Sequence, residues 1–467
     1  MTNLTLEDKI QQQRDRFHAP DPMISLVSPC RINEGILSCS ESEKVNYRRS
    51  FNDSPLGVGY FIPASGSGSR MFQFLYQYLS DPKKENQALV ERFVNAIDQF
   101  AFYVKLPVEL RTSVEKGNFM LDELILEIIG KNGLGLGSLP KGLIPFHKLE
   151  PFILNPFQEQ LLQGVRLSKE ALNFHFTVQE EYIDEFKSYL KVLEDTTGRT
   201  YATSFSVQEP ASNAVAFLED GSVCKNVDGT MVSRPAGHGS LLQNLAQTKG
   251  DIILIKNIDN VQHFDQSAKT VETWELLGGI LTEFRREAAL IYSNPDQVAL
   301  AELNKKYQLL PEEELIQYSS AEEIKVLLDR PVRVCGMVRN QGQPGGGPFW
   351  VKEQGRVSKQ IVEKAQIAST SEQLGLLVKS THFNPVMIAA CQYDFEGEKY
   401  DLNEFIDHSK YFKVSKTHEG QKIGYIELPG LWNGSMAHWN SIFVEIPTEV
   451  FSPVKTILDL LEDAHKA

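Results

Sequence analysis

Cysteine is scarce. Five residues, Cys30, Cys39, Cys224, Cys335 and Cys391, are scattered through 467 positions. None forms a Cys-x-x-Cys pair, and no histidine cluster accompanies them. That excludes a disulfide framework and a cysteine-rich zinc site, and leaves reduced, buried thiols as the expectation. No apolar run approaches the roughly 20 residues that a membrane-spanning helix needs. The first residues, MTNLTLEDKIQQQRDRF, are polar and have no apolar signal core, so a cytoplasmic location is expected. Basic residues are outnumbered as well. The formal net charge is −14, which argues against a nucleic-acid binder, because a phosphate backbone needs a basic face. A small phosphorylated ligand needs only a few local cations and stays open. What is present is ordinary for a soluble globular protein: 42% hydrophobic and 23% charged residues. The length implies two or three domains, or one elaborated large one.

The most informative stretch runs from Gly57 to Phe72. Val58 to Ile62 is a short apolar run that reads as a buried strand. Small residues follow from Ala64 to Ser69, closed by Arg70. Phe72, Leu75 and Leu79 then share a helical face. A strand, a small-residue loop and a helix start form a phosphate cradle. Glycine lets the backbone approach the anion, and free N–H groups point at it. Arg70 adds a planar cation suited to phosphate oxygens. A Rossmann fingerprint would need glycine where Met71 stands, and a Walker A loop would need Gly-Lys-Ser/Thr. The pattern Gly-x-Gly-Ser/Thr-Arg, followed later by Pro-Lys, is that of sugar-phosphate nucleotidyltransferases. Gly66, Gly68, Ser69 and Arg70 match it. A tight Gly/Ser turn without a ligand is the competing reading.

The region before Pro55 reads as an N-terminal extension that starts as a helix, with Leu6, Ile10 and Phe17 at helical spacing. After the loop, Leu89, Val90, Phe93, Val94, Ile97, Phe100, Ala101 and Val104 recur every three or four residues, a core-facing helix stripe. Pro107 breaks it. Leu110, Val114, Leu121, Leu124 and Ile128 resume it up to Ile129. Residues 73–130 are therefore expected to be a helical insertion. A second glycine-rich loop ends in Pro140-Lys141. Leu143–Phe146 is expected as a short strand, and a helix starts at Asn155 with Pro156 in its first turn. Phe174–Val178 reads as a strand and Glu181–Leu193 as a helix. Such alternation points to an α/β sheet with parallel strands. Further on, Ile252–Ile255, Val332–Val338 and Phe443–Ile446 read as strands. Trp274–Tyr292 reads as a helix, and Val454–Leu461 as a closing helix.

The run Pro140-Lys141-Gly142-Leu143-Ile144-Pro145-Phe146, the Asn155-Pro156-Phe157-Gln158-Glu159-Gln160 helix, the Thr177-Val178 strand end and the acidic helix after it resemble the core of sugar-1-phosphate nucleotidyltransferases. Among these, the chain is similar to the UDP-N-acetylhexosamine and UDP-sugar pyrophosphorylases. The whole chain also resembles a bacterial domain-of-unknown-function family. The first resemblance implies a nucleotide-diphospho-sugar transferase-like (GT-A type) α/β fold, its mainly parallel central sheet decorated by the helical insertion. It implies a core over 56–390, after the extension 1–55, with 391–467 packing on it. It implies nucleotide contacts from Ala64, Ser65, Gly66, Ser67, Gly68 and Ser69. Gln208 and the Arg234–Leu242 loop, through Gly237, His238 and Gly239, would hold the base. Arg70 and Lys141 would be catalytic, Asp259 would hold Mg²⁺, and Glu363 and Asn384 would contact the sugar.

Each assignment has a plainer alternative. His238 could be an ordinary loop histidine, Asp259 a turn cap, Glu363 a solvated charge and Asn384 a turn former before Pro385. Two departures stand out. Ser65 takes a place where the family often has glycine, and 71 positions separate Arg70 from Lys141, so the insertion must fold out and return. The implied reaction is nucleotidyl transfer from a nucleoside triphosphate to a sugar 1-phosphate with release of pyrophosphate. No second acidic ligand for Asp259 is visible, which keeps open a non-catalytic nucleotide or nucleotide-sugar binder on the same fold. A glycosyltransferase would carry an Asp-x-Asp motif, and none is visible near the Asp259 strand.

Overall fold

Buried apolar runs form the parallel strands on which the chain is built. The structure, a computed structural model, describes residues 5–81, 84–167, 169–209, 213–342 and 345–467. The chain divides into two compact units. One comprises residues 1–56, 208–254 and 276–446, the other 57–207, 255–275 and 447–467. The fold is α/β, with one large, mainly parallel sheet, smaller antiparallel ones and the expected helical insertion.

In the second unit, Val58–Pro63 pairs in parallel with Leu172–Thr177, which pairs in parallel with Thr203–Ser206. Val58 to Ile62 are all buried. Strands covered on both faces read as continuous apolar runs, which is why this one was legible. Tyr60 stacks on Phe174 across the pair, 5.0 Å between centroids.

The insertion is helical but more broken than its stripe suggests. The helix Lys84–Asn95 stops early, short 3-10 turns cover Ile97–Gln99 and Ala101–Lys105, and two further helices span Val108–Glu115 and Leu121–Ile129. Leu89 and Val104, placed on the stripe by spacing, are 40% and 48% exposed. The turn at Ala96 rotates the later residues away from the helical register. Phe93, Phe100 and Phe102 still meet in the core, with Phe100 and Phe102 stacked 5.4 Å apart.

Leu143–Phe146 is not a strand. Lys141–Leu143 is a 3-10 turn, and the strands come later, as the hairpin His147–Leu149 with Phe152–Leu154. Pro145 lacks the N–H a ladder needs. The closing helix is also shorter than its apolar pattern. Backbone at Pro453 and Val454 is extended against Asn260 and Asp259, and only Ile457–Leu461 turns, as a 3-10 helix behind the Thr456–Asp459 capping box.

The helix Pro156–Gly164 begins at the Asn155 cap with Pro156 in its first turn, as expected. Nearly all of it is buried, including its three glutamines and Glu159. Buried polar groups need partners, and these grip the segment that carries Asp259. Gln160 Nε2 donates to the carbonyls of Asn257 and Asn260, each at 3.4 Å, and Gln163 Nε2 to that of Gln262 at 2.7 Å. Glu159 accepts from His147 Nδ1 at 2.8 Å, because a carboxylate only accepts. His147 Nε2 meets His465 Nδ1 at 3.0 Å.

In the first unit, Val332–Arg339 lies between Asn440–Glu445, in parallel, and Met387–Cys391, antiparallel. Gly35–Leu37 continues the parallel side. The N-terminal region has its helices, Leu6–His18 and Glu41–Asp53, but also short strands between them that its polar composition did not signal. One of these, Leu26–Pro29, joins Gly347–Glu353 and Arg356–Val362 in an antiparallel sheet over a core of Ile24, Leu26, Phe349, Val351, Val362 and Ile367.

His465 yields a pH prediction. Burial, then the charges of His147 and His263, push its pKa down to about 3. Below the ordinary value of ~6.5 the unfolded chain takes up a proton that the folded chain refuses. Its contribution to stability is therefore full above that value and is lost as pH falls toward the folded pKa. Thermal unfolding of a His465→Gln variant is expected to change less between about pH 7 and about pH 5 than that of the parent. An equal or steeper change would remove His465 from the acid sensitivity.

Candidate active site

The strand Val58–Pro63 delivers the small-residue loop to its C-terminal end, where open α/β sheets place ligands. Ala64 N–H donates to Thr177 O at 2.8 Å and ends the ladder. Ser69–Phe72 is a 3-10 turn, and the helix proper starts at Gln73, later than the sequence pattern implied. Ser69 N–H donates to Ser67 Oγ at 3.2 Å, which shapes the bend. Gly66, Ser67, Ser69 and Arg70 are exposed, while Ala64 and Gly68 are buried.

The insertion returns to this loop. Lys141 N–H donates to Gly66 O at 3.0 Å, Gly68 N–H donates to Leu139 O at 2.9 Å, and Ser67 and Pro140 form an antiparallel bridge. The Arg-bearing and Lys-bearing stretches are thus one paired element despite the residues between them.

Lys141 then points at Asp259. Its Nζ donates to Asp259 Oδ2 at 2.8 Å and to Val454 O at 3.2 Å. A second ammonium, Lys455 Nζ, donates to the same Oδ2 at 3.0 Å. Asp259 follows the strand Ile252–Lys256, and its carbonyl accepts the Val454 N–H at 2.9 Å. Asn260 Oδ1 accepts the Ser452 N–H at 3.0 Å. The chain near its C-terminus is therefore sewn to the Asp259 turn by backbone and side chain, which brings Lys455 in. Side-chain exposure is 9% for Asp259, 14% for Lys141 and 56% for Lys455. Burial alone would raise the Asp259 pKa, but the ammonium groups of Lys141 and Lys455 outweigh it and hold the carboxyl below the usual range. Two cations and one anion leave the cluster net positive. Sequence reading missed Lys455, since one lysine in Ser452-Pro453-Val454-Lys455 carries no pattern.

Gln208, Gly237, His238, Gly239, Glu363 and Asn384 belong to the first unit. Gly237 has φ +74°, a conformation that favours glycine. His238 stacks on Trp432, 4.5 Å between centroids, and its Nδ1 accepts the Leu431 N–H at 3.0 Å. Its Nε2 lies 3.7 Å from Glu363 Oε1. The structure thus brings His238 and Glu363 together and adds Trp432. Glu427 carries a carboxyl pKa raised by burial, against the pull of His238 and Lys416. Glu363 stands just past the strand Arg356–Val362 and caps the turn Lys364–Gln366. Gln208 Nε2 bonds Asn213 Oδ1 at 3.5 Å. Asn384 turns inward: Nδ2 donates to Gly336 O at 3.2 Å, and Oδ1 accepts the Val386 N–H at 2.9 Å. Its amide holds its own turn.

The residues fit a divalent cation in one way only. Among the described residues, no group of three or more His, Cys, Asp or Glu side chains is arranged to hold a metal. Asp259 is a single carboxylate. Mg²⁺ typically takes one or two protein carboxylates, with waters and substrate phosphates completing the shell, and Asp259 suits that arrangement.

Fold and site define an α/β protein whose small-residue loop follows a strand end and pairs with Leu139–Lys141 beside a lysine–aspartate–lysine cluster. Residues 2–466 match the domain of unknown function DUF4301, and the chain belongs to that family. No curated protein matches the sequence. Similar solved structures include a uridine diphosphate N-acetylglucosamine pyrophosphorylase from Trypanosoma brucei, at 10% identity over 97% of this chain and 74% of that one, with a TM-score of 0.48. A UDP-glucose phosphorylase from Trypanosoma brucei gives 13%, 97%, 73% and 0.46. A UDP-glucose pyrophosphorylase from Leishmania major gives 13%, 95%, 70% and 0.43.

Two glycines of the loop should respond differently to alanine. A Cβ at Gly68 would run into the Ile144 side chain and stand 2.7 Å from Leu139 O, whereas nothing lies within 4 Å of one at Gly66. Gly68→Ala is expected to destabilise by ~1–3 kcal/mol and Gly66→Ala by much less in chemical denaturation. Equal losses would refute the packing difference.

Proposed function

We propose that the protein transfers a nucleotidyl group from a nucleoside triphosphate to a sugar 1-phosphate and releases pyrophosphate. The observation that carries this reading is the Gly66–Ser69 loop, exposed at Gly66, Ser67 and Ser69 and bonded through Lys141 N–H to the lysine pair on Asp259. An oxygen of the sugar phosphate attacks the α-phosphorus, the bond to the bridging oxygen of the β-phosphate breaks, and pyrophosphate leaves with the electron pair. No protein nucleophile is required, so catalysis is positioning and charge neutralisation. Lys141 and Lys455 neutralise the phosphates, the N–H groups of Gly66 and Ser67 orient them, and Arg70 stabilises the leaving pyrophosphate. Asp259 is the residue that would hold Mg²⁺, which supplies Lewis-acid neutralisation of phosphate oxygens when bound. Gln208, Gly237, His238 and Gly239 are assigned to the base and Glu363 to sugar hydroxyls. The lone carboxylate at Asp259 also supports a second reading, nucleotide binding without turnover.

The test is pyrophosphate release with Mg²⁺ across a grid of nucleoside triphosphates and sugar 1-phosphates. Release is expected with one sugar phosphate and is expected to fall ~100-fold or more in Arg70→Ala and Lys141→Ala, the scale seen when one transition-state donor is removed. Asp259→Asn serves as a further control. Nucleotide binding without release anywhere on the grid would establish the second reading.

A further inference from the structure

The lysine–aspartate–lysine cluster also bears on the order in which its ligands arrive, given the function proposed above. Lys141 and Lys455 both donate to one carboxylate oxygen, Asp259 Oδ2, at 2.8 and 3.0 Å. That oxygen is closed to a cation while they stay, and the net positive cluster repels one. A phosphate group meets the opposite situation. It competes with the carboxylate for the same ammonium groups, and charge-assisted bonds of similar strength await it. The two lysines are not equivalent. Lys141 is largely buried and tied also to Val454 O, whereas Lys455 is 56% exposed and makes one bond to the cluster. An exposed ion pair is the weaker one, so Lys455 is the group that lets go first.

We infer that Asp259 is latched by Lys141 and Lys455, that a diphosphate-type anion opens the latch without metal by drawing the lysines onto itself, and that a divalent cation reaches Asp259 only afterwards. Anion and cation are then positively coupled, and each raises the affinity for the other by the same factor. Asp259 has two opposed effects. Without metal its carboxylate competes with the anion, and with metal it strengthens binding.

The test is calorimetry on the full chain with pyrophosphate and Mg²⁺ as probes. The parent is expected to bind pyrophosphate in the presence of a chelator, to show no binding of Mg²⁺ alone at ~1 mM, and to bind pyrophosphate about fivefold or more tightly once Mg²⁺ is added, the usual range of such coupling. Asp259→Asn is expected to bind pyrophosphate more tightly than the parent in chelator and to lose the Mg²⁺ enhancement. Because that variant changes a buried group, Lys455→Met at an exposed position provides a second arm, with weaker metal-free pyrophosphate binding expected. Mg²⁺ binding to the free parent that Asp259→Asn abolishes would overturn the latch, as would weaker metal-free binding in Asp259→Asn. Absence of pyrophosphate binding with and without metal would instead overturn the phosphate site itself, and with it the proposed function.

Discussion

One carboxylate organises the second unit. Asp259 is almost wholly buried, and a buried carboxylate is tolerated only when it is paired. Lys141 and Lys455 pair it, and they come from distant parts of the sequence. To hold them there, the insertion must return beside the Gly66–Ser69 loop, and the chain near its C-terminus must lie along Asp259 and Asn260. The backbone bonds Lys141 N–H to Gly66 O and Val454 N–H to Asp259 O make both approaches specific. Removing the Asp259 charge would leave the largely buried Lys141 ammonium without its carboxylate, and such a break of a buried pair typically costs about 3–5 kcal/mol.

The support beneath this cluster is polar. A helix buried nearly all round would ordinarily be apolar, yet Pro156–Gly164 carries three glutamines and a glutamate. The amides of Gln160 and Gln163 bond the carbonyls of Asn257, Asn260 and Gln262, and that of Asn257 also accepts the Asn260 N–H within the turn. The turn that presents Asp259 is thereby fixed in shape. The Glu159–His147–His465 chain then ties down residues close to the C-terminus. Fold stability and site geometry share the same bonds here.

Much of the local structure was legible in the sequence. Val58–Ile62 and Ile252–Ile255 read as strands because burial on both faces demands continuous apolar residues. The Asn155-Pro156 start was legible because a cap and a fixed φ act over one turn. Errors arose where non-local bonding overrode local pattern. Val454 sits in an apolar helical repeat, but its N–H is taken by Asp259 O, so the backbone stays extended. The stripe through Val104 was misread because a turn at Ala96 shifts the register without any proline or glycine to mark it.

By itself the sequence determined the α/β class, the glycine loop with Arg70, and the candidacy of Lys141 and Asp259, because each depends on residue type and short spacing. Only the tertiary structure decided that the loop, Lys141 and Asp259 meet, that Lys455 joins them, that Asn384 turns inward and that Trp432 stacks on His238. The physical reason is that pairing between distant segments depends on which backbone groups and charges are left unsatisfied after the chain has folded. No local window of sequence contains that information.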